Sequence, residues 1–249
     1  VVADDRSPDD TYSRAAAIED PRLSVSVNDE NLGLGNSVLA ALETVDTPFV
    51  TILNSDDVFH PDRLSACRDA LLENPDAQLV ATDLYLVDDD GGQLTKRNVG
   101  RLRDGSQIYD WVSWYSSAQP KKLAPAECFG ALLRGNFHAT STNLFCRTEF
   151  LREQVAEVRR LKYCLDWHLV LEAARTDGLI YLPRRLAGYR LHAANTVWFR
   201  EGRRWSYYLE VNRVIAAALA RILESGRGDS DERRLETIRL AVEGVTANV

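Results

Sequence analysis

The sequence predicts an α/β protein: a mostly parallel central sheet flanked by helices, with a C-terminal helical extension. Three observations predict this. Through residues 1–91, short apolar runs of strand character alternate with segments of helical period. The first three of those runs end in stretches rich in carboxylates and amides, Asp4-Asp5-Arg6-Ser7, Asn28-Asp29-Glu30-Asn31 and Asn54-Ser55-Asp56-Asp57. From residue 201 onward the period is helical alone.

The elements follow in order. Residues 1–3 are apolar and stop at Asp4-Asp5. Residues 11–19 read as a helix with Asp9 or Asp10 as its N-cap. Residues 23–27 alternate as a strand, a helix starts near Asn36, and residues 49–53 form the next strand. Pro61 opens a helix with Leu64, Cys67, Leu71 and Leu72 at helical spacing. Residues 79–87 are a strand closed by the turn Asp88-Asp89-Asp90-Gly91-Gly92. The second half is less regular. Helices are predicted at 107–114, 125–133 and 163–174, and strands at 143–146, 179–182 and 186–191. In the tail, Tyr208, Val211, Ile215, Ala218, Leu219 and Ile222 make one helical face. A linker at 225–230 then precedes a last helix over 231–243.

Strands alternating with helices imply right-handed crossovers, which bring the carboxyl ends of parallel strands to one rim. Open α/β sheets bind ligands at that rim. The three acidic stretches therefore converge on a ligand edge.

The 249 residues suffice for one substantial core or two small ones. A net charge of −7 argues against nucleic acid as a partner, which needs a basic surface. Residues 1–60 hold twelve Asp/Glu against three Arg, so the acidity sits where the converging loops are. A solvated acidic face leaves this mark, and so does a site that gathers a divalent cation. Cys67, Cys128, Cys146 and Cys164 show no CxxC spacing, which fits a reducing cytoplasmic location rather than a disulfide framework or zinc site. No apolar run approaches the roughly 18 residues of a membrane span. The chain begins at Val1 and contains no Met, so it reads as a fragment whose native start lies upstream.

Adjacent carboxylates at a strand exit suit Mg²⁺ or Mn²⁺, hard ions held by one or two carboxylates plus substrate phosphates. The cation offsets the repulsion between Asp56 and Asp57. Taken alone, the tetrapeptide also fits a turn, Asp166 fits a helix cap, and His192 fits a surface histidine. His60, His138 and His168 read as structural. Gly33 and Gly35 supply a turn before a helix and do not make a dinucleotide fingerprint, because the third glycine is missing.

Taken together and in order, VVADDRSPD, NDENLGLGN, TILNSDD, CLDWHLVLEAA and LAGYRLHAANT resemble the family 2 glycosyltransferases of the GT-A fold. The likeness covers residues 1–195, as a catalytic domain with a nucleotide-sugar half (1–91) and an acceptor half (92–195); residues 196–249 are the helical extension. The resemblance implies a family first strand ahead of Val1. It implies that Asp4, with Asp5 beside it, contacts the base of a nucleotide-sugar donor, most often uridine. Asn31 and Gly33 would lie on the donor loop, and Asn54 at the ribose position. Asp56, with Asp57 adjacent, and His192 would serve the metal that bridges the diphosphate. Asp166 would be the catalytic base. Asn54 replaces the family's usual Asp, and Leu165 replaces the Glu that precedes the base.

The activity so implied is inverting, metal-dependent transfer of a sugar from a nucleotide-sugar donor, UDP-linked by expectation, to a glycan or lipid-linked acceptor in cell-surface polysaccharide synthesis. A catalytically silent nucleotide-sugar or glycan-binding module is the alternative, favoured by Asn54 and Leu165. A nucleotidyltransferase would need a basic phosphate loop, for which Arg6 is the candidate. The cluster Trp198-Phe199-Arg200, Arg203-Arg204-Trp205 and Tyr207-Tyr208 fits either a peripheral contact at the inner face of a membrane or packing on the catalytic domain.

Overall fold

Seven of the nine residues from Leu79 to Val87 are buried, and this strand organises everything around it. A strand covered on both faces reads as a nearly unbroken apolar run, and LVATDLYLV is one. The computed structural model describes residues 1–94, 125–138, 140–192, 195, 203–224 and 238–239. The predicted helices at 107–114 and 231–243 and the linker at 225–230 lie outside the described residues, Ile238 and Arg239 excepted.

In chain order the elements are β1 (Val2–Asp4), α1 (Thr11–Ala16), β2 (Val25–Val27), α2 (Leu34–Leu42), β3 (Phe49–Thr51), β4 (Val58–Phe59), α3 (Arg63–Glu73) and β5 (Leu79–Val87). There follow β6 (Gln93–Leu94), α4 (Pro125–Arg134), a 3₁₀ turn (Ser141–Asn143), β7 (Leu144–Arg147), α5 (Thr148–Glu153), α6 (Val155–Val158), α7 (Leu165–Arg175), β8 (Leu179–Arg190) and α8 (Arg203–Glu224).

β1 and β2 pair in parallel as a two-stranded sheet. The larger sheet has the order β3-β7-β5-β8-β4, with β6 added to β5. β5 and β8 are parallel, while β7 lies antiparallel between β3 and β5. β4 on β8 and β6 on β5 are also antiparallel. The α/β class stands, but the sheet is parallel only in part. The regular alternation of strand and helix stops near residue 91, and beyond it nothing in the pattern dictates from which end a strand enters. Because β3, β5 and β8 still run the same way, their carboxyl ends and the amino end of β7 share one rim.

β8 is one twelve-residue strand where the sequence predicts two. Its pairing with β5 slips between Thr82↔Leu182 and Asp83↔Arg185, leaving Pro183 and Arg184 without partners in the register. Proline has no N–H to give to a ladder, so the break falls there. β4, β6, α5 and α6 are short elements without a clear period of their own.

One core joins α7, α8, α4 and the inner face of the sheet. Trp167 is fully buried, and its indole N–H donates to the Leu132 carbonyl at 2.8 Å. Val211, Val214, Ile215 and Ala218 of α8 are buried in the same cluster. The tail helix therefore packs on the sheet-bearing core along the apolar face its period predicts.

Candidate active site

Two groups of acidic loops form, one on each sheet. On the small sheet, β1 delivers Asp4 and Asp5 beside the loop that follows β2. Asp4 is buried and its Oδ1 accepts the Ser7 amide at 2.7 Å. Asp5 staples the loop before α2. Its Oδ1 accepts from Asn28 Nδ2 (2.9 Å) and the Leu32 amide (2.7 Å), and its Oδ2 accepts the Gly33 amide (2.8 Å). Burial works against that charge, but donors from Asn28, Leu32, Ser37 and Gly33 outweigh it and hold the carboxyl below its ordinary value. Asn31 adds a bond from Nδ2 to the Asp5 carbonyl. Gly33 sits at φ +79° as the residue before α2, a region L side chains avoid. Gly35 serves a different need: a Cβ there would lie 2.9 Å from the carbonyl oxygens of Val158 and Leu161.

On the large sheet, the four residues after β3 meet the turn before β7 and the end of β8. Asp57 points inward and is 6% exposed. Its Oδ2 accepts from Thr142 Oγ1 (2.6 Å), Asn54 Nδ2 (3.2 Å) and Thr140 Oγ1 (3.3 Å), and its Oδ1 accepts the Arg190 amide (2.9 Å). Burial raises its pKa and the Asp56 charge adds to that, against the pull of these donors. Asn54 spends its side chain within the same network. Its Nδ2 also reaches Thr140 Oγ1, and its Oδ1 accepts from Ser141 Oγ at 2.9 Å.

Asp56 points the other way, with a third of its side chain open to solvent. Its Oδ2 lies 2.9 Å from His192 Nε2. Asn195 fixes the His192 backbone by accepting its amide at 2.6 Å, and donates to the Arg190 carbonyl at 3.0 Å. Arg190 ties the rim together, donating to the carbonyls of Asp56, Asp88 and Asp89. The two neighbouring carboxylates thus differ in setting, Asp57 buried in a hydrogen-bond network and Asp56 part-exposed beside His192.

That geometry bears on a divalent ion. Two atoms held 2.9 Å apart match the edge between adjacent ligands of an octahedron with bonds of about 2.1 Å. Asp56 and His192 could therefore occupy two corners, leaving the rest to phosphate oxygens and water. Among the described residues no group of three His, Cys, Asp or Glu side chains forms a fuller set. The residues present fit an ion that is completed by its substrate.

Asp166 lies in the first turn of α7 and is half-buried. Its Oδ1 accepts the Trp167 amide at 2.8 Å. Burial pushes its carboxyl up to about 6, in spite of hydrogen bonds from the backbone of Trp167 and Thr140 and from the Asn136 side chain. Thr140 is the joint between the two acids, since its backbone meets Asp166 while its hydroxyl meets Asn54 and Asp57. It holds φ +72°, a strained conformation for a β-branched residue. Burial raises the Tyr189 phenol, and the charges of Asp57, Asp56 and Asp166 add to that rise.

Thr140, Thr142, Arg190 and Asn195 carry no mark in the sequence beyond polar residues near a motif. For Arg190 and Asn195 the signal was adjacency to His192 within YRLHAAN. For Thr140 and Thr142 nothing in ATSTN stands out. His138 and His168 are buried, the latter with Nε2 3.1 Å from Gln154 Oε1. His60 is exposed.

A mixed α/β sheet with acidic loops gathered at the carboxyl ends of its strands defines a GT-A-like architecture. The profile described as Glycosyl transferase family 2 matches residues 1–139, more than half of the chain. The chain belongs to glycosyltransferase family 2. Over 97 residues it is 36% identical to "Succinoglycan biosynthesis protein ExoO" of Rhizobium meliloti (strain 1021), a match to 38% of this chain and 27% of that protein. S. aureus TarS 1–349 in complex with UDP-GlcNAc superposes with a TM-score of 0.65 at 16% identity, over 99% of this chain and 62% of that one. TarS 1–349 in complex with UDP gives 0.62 at 18% identity, over 98% and 60%. At such identities the likeness to TarS is one of fold. The chain spans about a quarter of the length of ExoO and about three fifths of TarS 1–349.

Proposed function

We propose that this chain carries the catalytic site of an inverting glycosyltransferase, which moves a sugar from a nucleotide-sugar donor to a hydroxyl acceptor in polysaccharide synthesis. The observation that carries the reading is the pairing of an outward-facing Asp56–His192 couple with a raised-pKa carboxylate, Asp166, on one rim. A UDP-linked donor is favoured by family membership and by the ligands named for the TarS structures.

The residues divide the work. Asp4, Asp5, Asn31 and Gly33 would serve the nucleoside side of the donor, and Asn54 the ribose. Asp56 and His192 would hold Mg²⁺ or Mn²⁺ against the diphosphate, while Asp57 fixes the loop that presents Asp56. The bound cation supplies Lewis-acid stabilisation of charge on the departing diphosphate. Asp166 accepts the proton of the acceptor hydroxyl as its oxygen attacks the anomeric carbon. The new C–O bond forms on the face opposite the breaking bond to phosphate, so the configuration inverts and a nucleoside diphosphate leaves. A general base with pKa near 6 is ionised at neutral pH yet still basic enough to take that proton.

In this reading residues 1–195 form the catalytic domain and residues 196–249 an extension. Among the described residues, no helix is long and apolar enough to cross a membrane. A lipid-linked acceptor would call for peripheral contact, and among the described residues Trp205 and Leu209 of α8, 73% and 70% exposed, offer apolar surface for it. The deciding experiment is calorimetric titration with UDP and Mn²⁺, followed by a donor-turnover assay across nucleotide sugars. Metal-dependent binding with turnover supports the enzyme. Binding without hydrolysis or transfer supports the silent module instead.

A further inference from the structure

α7 begins without a cap of its own. The residue before it, Cys164, makes no side-chain capping bond, and the approach through Lys162 and Tyr163 exposes successive backbone amides. All of these amides are taken by one carboxylate from α8. Glu210 Oε1 accepts from Lys162 N (3.0 Å), Tyr163 N (2.6 Å) and Cys164 N (2.7 Å), and Oε2 also accepts from Lys162 N (2.9 Å). Three consecutive N–H groups converging on an anion form a concave nest, which here is filled from within the chain. Bonds to a charged acceptor are among the stronger hydrogen bonds a protein makes.

The nest ends two residues before Asp166. α8 grips α7 at its other end too, where Arg221 meets the buried Glu172 at 2.6 Å, a carboxylate that Arg175 of α7 itself also meets at 3.0 Å. Between these ties lie Val211, Val214, Ile215 and Ala218, all buried. The far tie bears on the body of α7. Only the Glu210 tie bears on the turn that aims the carboxylate.

We infer that Glu210 is a positioning residue for the reaction: its carboxylate holds backbone 162–164 so that Asp166 keeps the direction in which it meets an acceptor hydroxyl. The inference rests on the glycosyltransfer reading and on Asp166 as its base. It makes the C-terminal helix part of the active-site machinery, although that helix falls outside the segments that resemble the family. Donor binding, which lies on the loops after β1, β2 and β3, does not depend on Glu210.

The test compares E210A, E210Q and R221M in the intact protein. E210A should lower kcat by about 10- to 100-fold, the scale set by a misplacement of about 1 Å, while donor KM and UDP–Mn²⁺ affinity stay within about twofold. E210Q keeps an acceptor oxygen and should recover much of the loss; it also carries the test if E210A does not fold. R221M should lose thermal stability with kcat within about threefold. Hydrogen exchange should quicken at amides 162–164 in E210A and not in R221M. Unchanged kcat in folded E210A, or equal loss of kcat and donor affinity, overturns the inference and leaves the glycosyltransfer reading intact. Full activity of D166N overturns that reading itself.

Discussion

The two groups of acidic loops differ in how tightly they are built. On the β1–β2 side no residue of α1 is buried, and β2 is half-buried or exposed along its length. The Asp5 carboxylate ties the loop before α2 together there, gathering Asn28, Leu32 and Gly33. On the α7 side, nine of eleven helical residues are buried, leaving Asp166 among the few with a view of solvent. On the proposed reading the contrast follows two tasks. A loop that closes over a donor is drawn from weakly packed structure. A group that must take one proton from one oxygen needs rigid support on a regular element.

The largest expected effect breaks the tight side at its chemistry. D166N should lower turnover by about 10²- to 10⁴-fold, the usual contribution of a general base, with UDP–Mn²⁺ affinity nearly unchanged by calorimetry. In the unsubstituted chain, kcat/KM should fall about tenfold per pH unit below about pH 6, because the carboxyl protonates there. The same group bears on stability. Its folded pKa lies above the ordinary carboxyl value of 3.8, so the folded chain holds a proton between about pH 4 and about pH 6 that the unfolded chain has lost. Stability therefore declines as pH rises through that window. D166N escapes this cost, and denaturant titration should find it no less stable than the parent at pH 8.

Next in size is the packing of α7. L171A empties a fully buried site and should cost about 2–5 kcal/mol in chemical denaturation. On the donor side D56A should weaken Mn²⁺-dependent UDP binding by about 10- to 100-fold with little change in melting temperature, since Asp56 is part-exposed and faces outward. Equal destabilisation by D56A and D57A would break the division drawn between those neighbours. The smallest effect belongs to the loose side: D5A should cost about 1–2 kcal/mol and quicken amide exchange at Leu32 and Gly33.

How far this was legible differs by region. Strand 79–87 was bounded correctly because an apolar run between polar turns needs no partner to declare itself. The helix at 125–134 and the start of the Asp166-bearing helix near 163 were read within two residues. The antiparallel insertion of β7 was not legible, since LFCR is compatible with either direction. Nor did the sequence distinguish Asp56 from Asp57. Adjacent side chains on an exit loop diverge, and which one turns inward depends on hydroxyls at 140 and 142, more than eighty residues away.

Order along the chain was enough to assign the class of fold, the acidic loops at strand ends and the family, because periodicity and short motifs are properties of neighbouring residues. Which carboxylate is sheltered, how Thr140 links two acids, and how a C-terminal glutamate caps the helix that carries Asp166 were settled by contacts between distant segments. Hydrogen bonds are short-ranged and directional, so no linear pattern encodes them until the backbone has brought their partners within 3 Å.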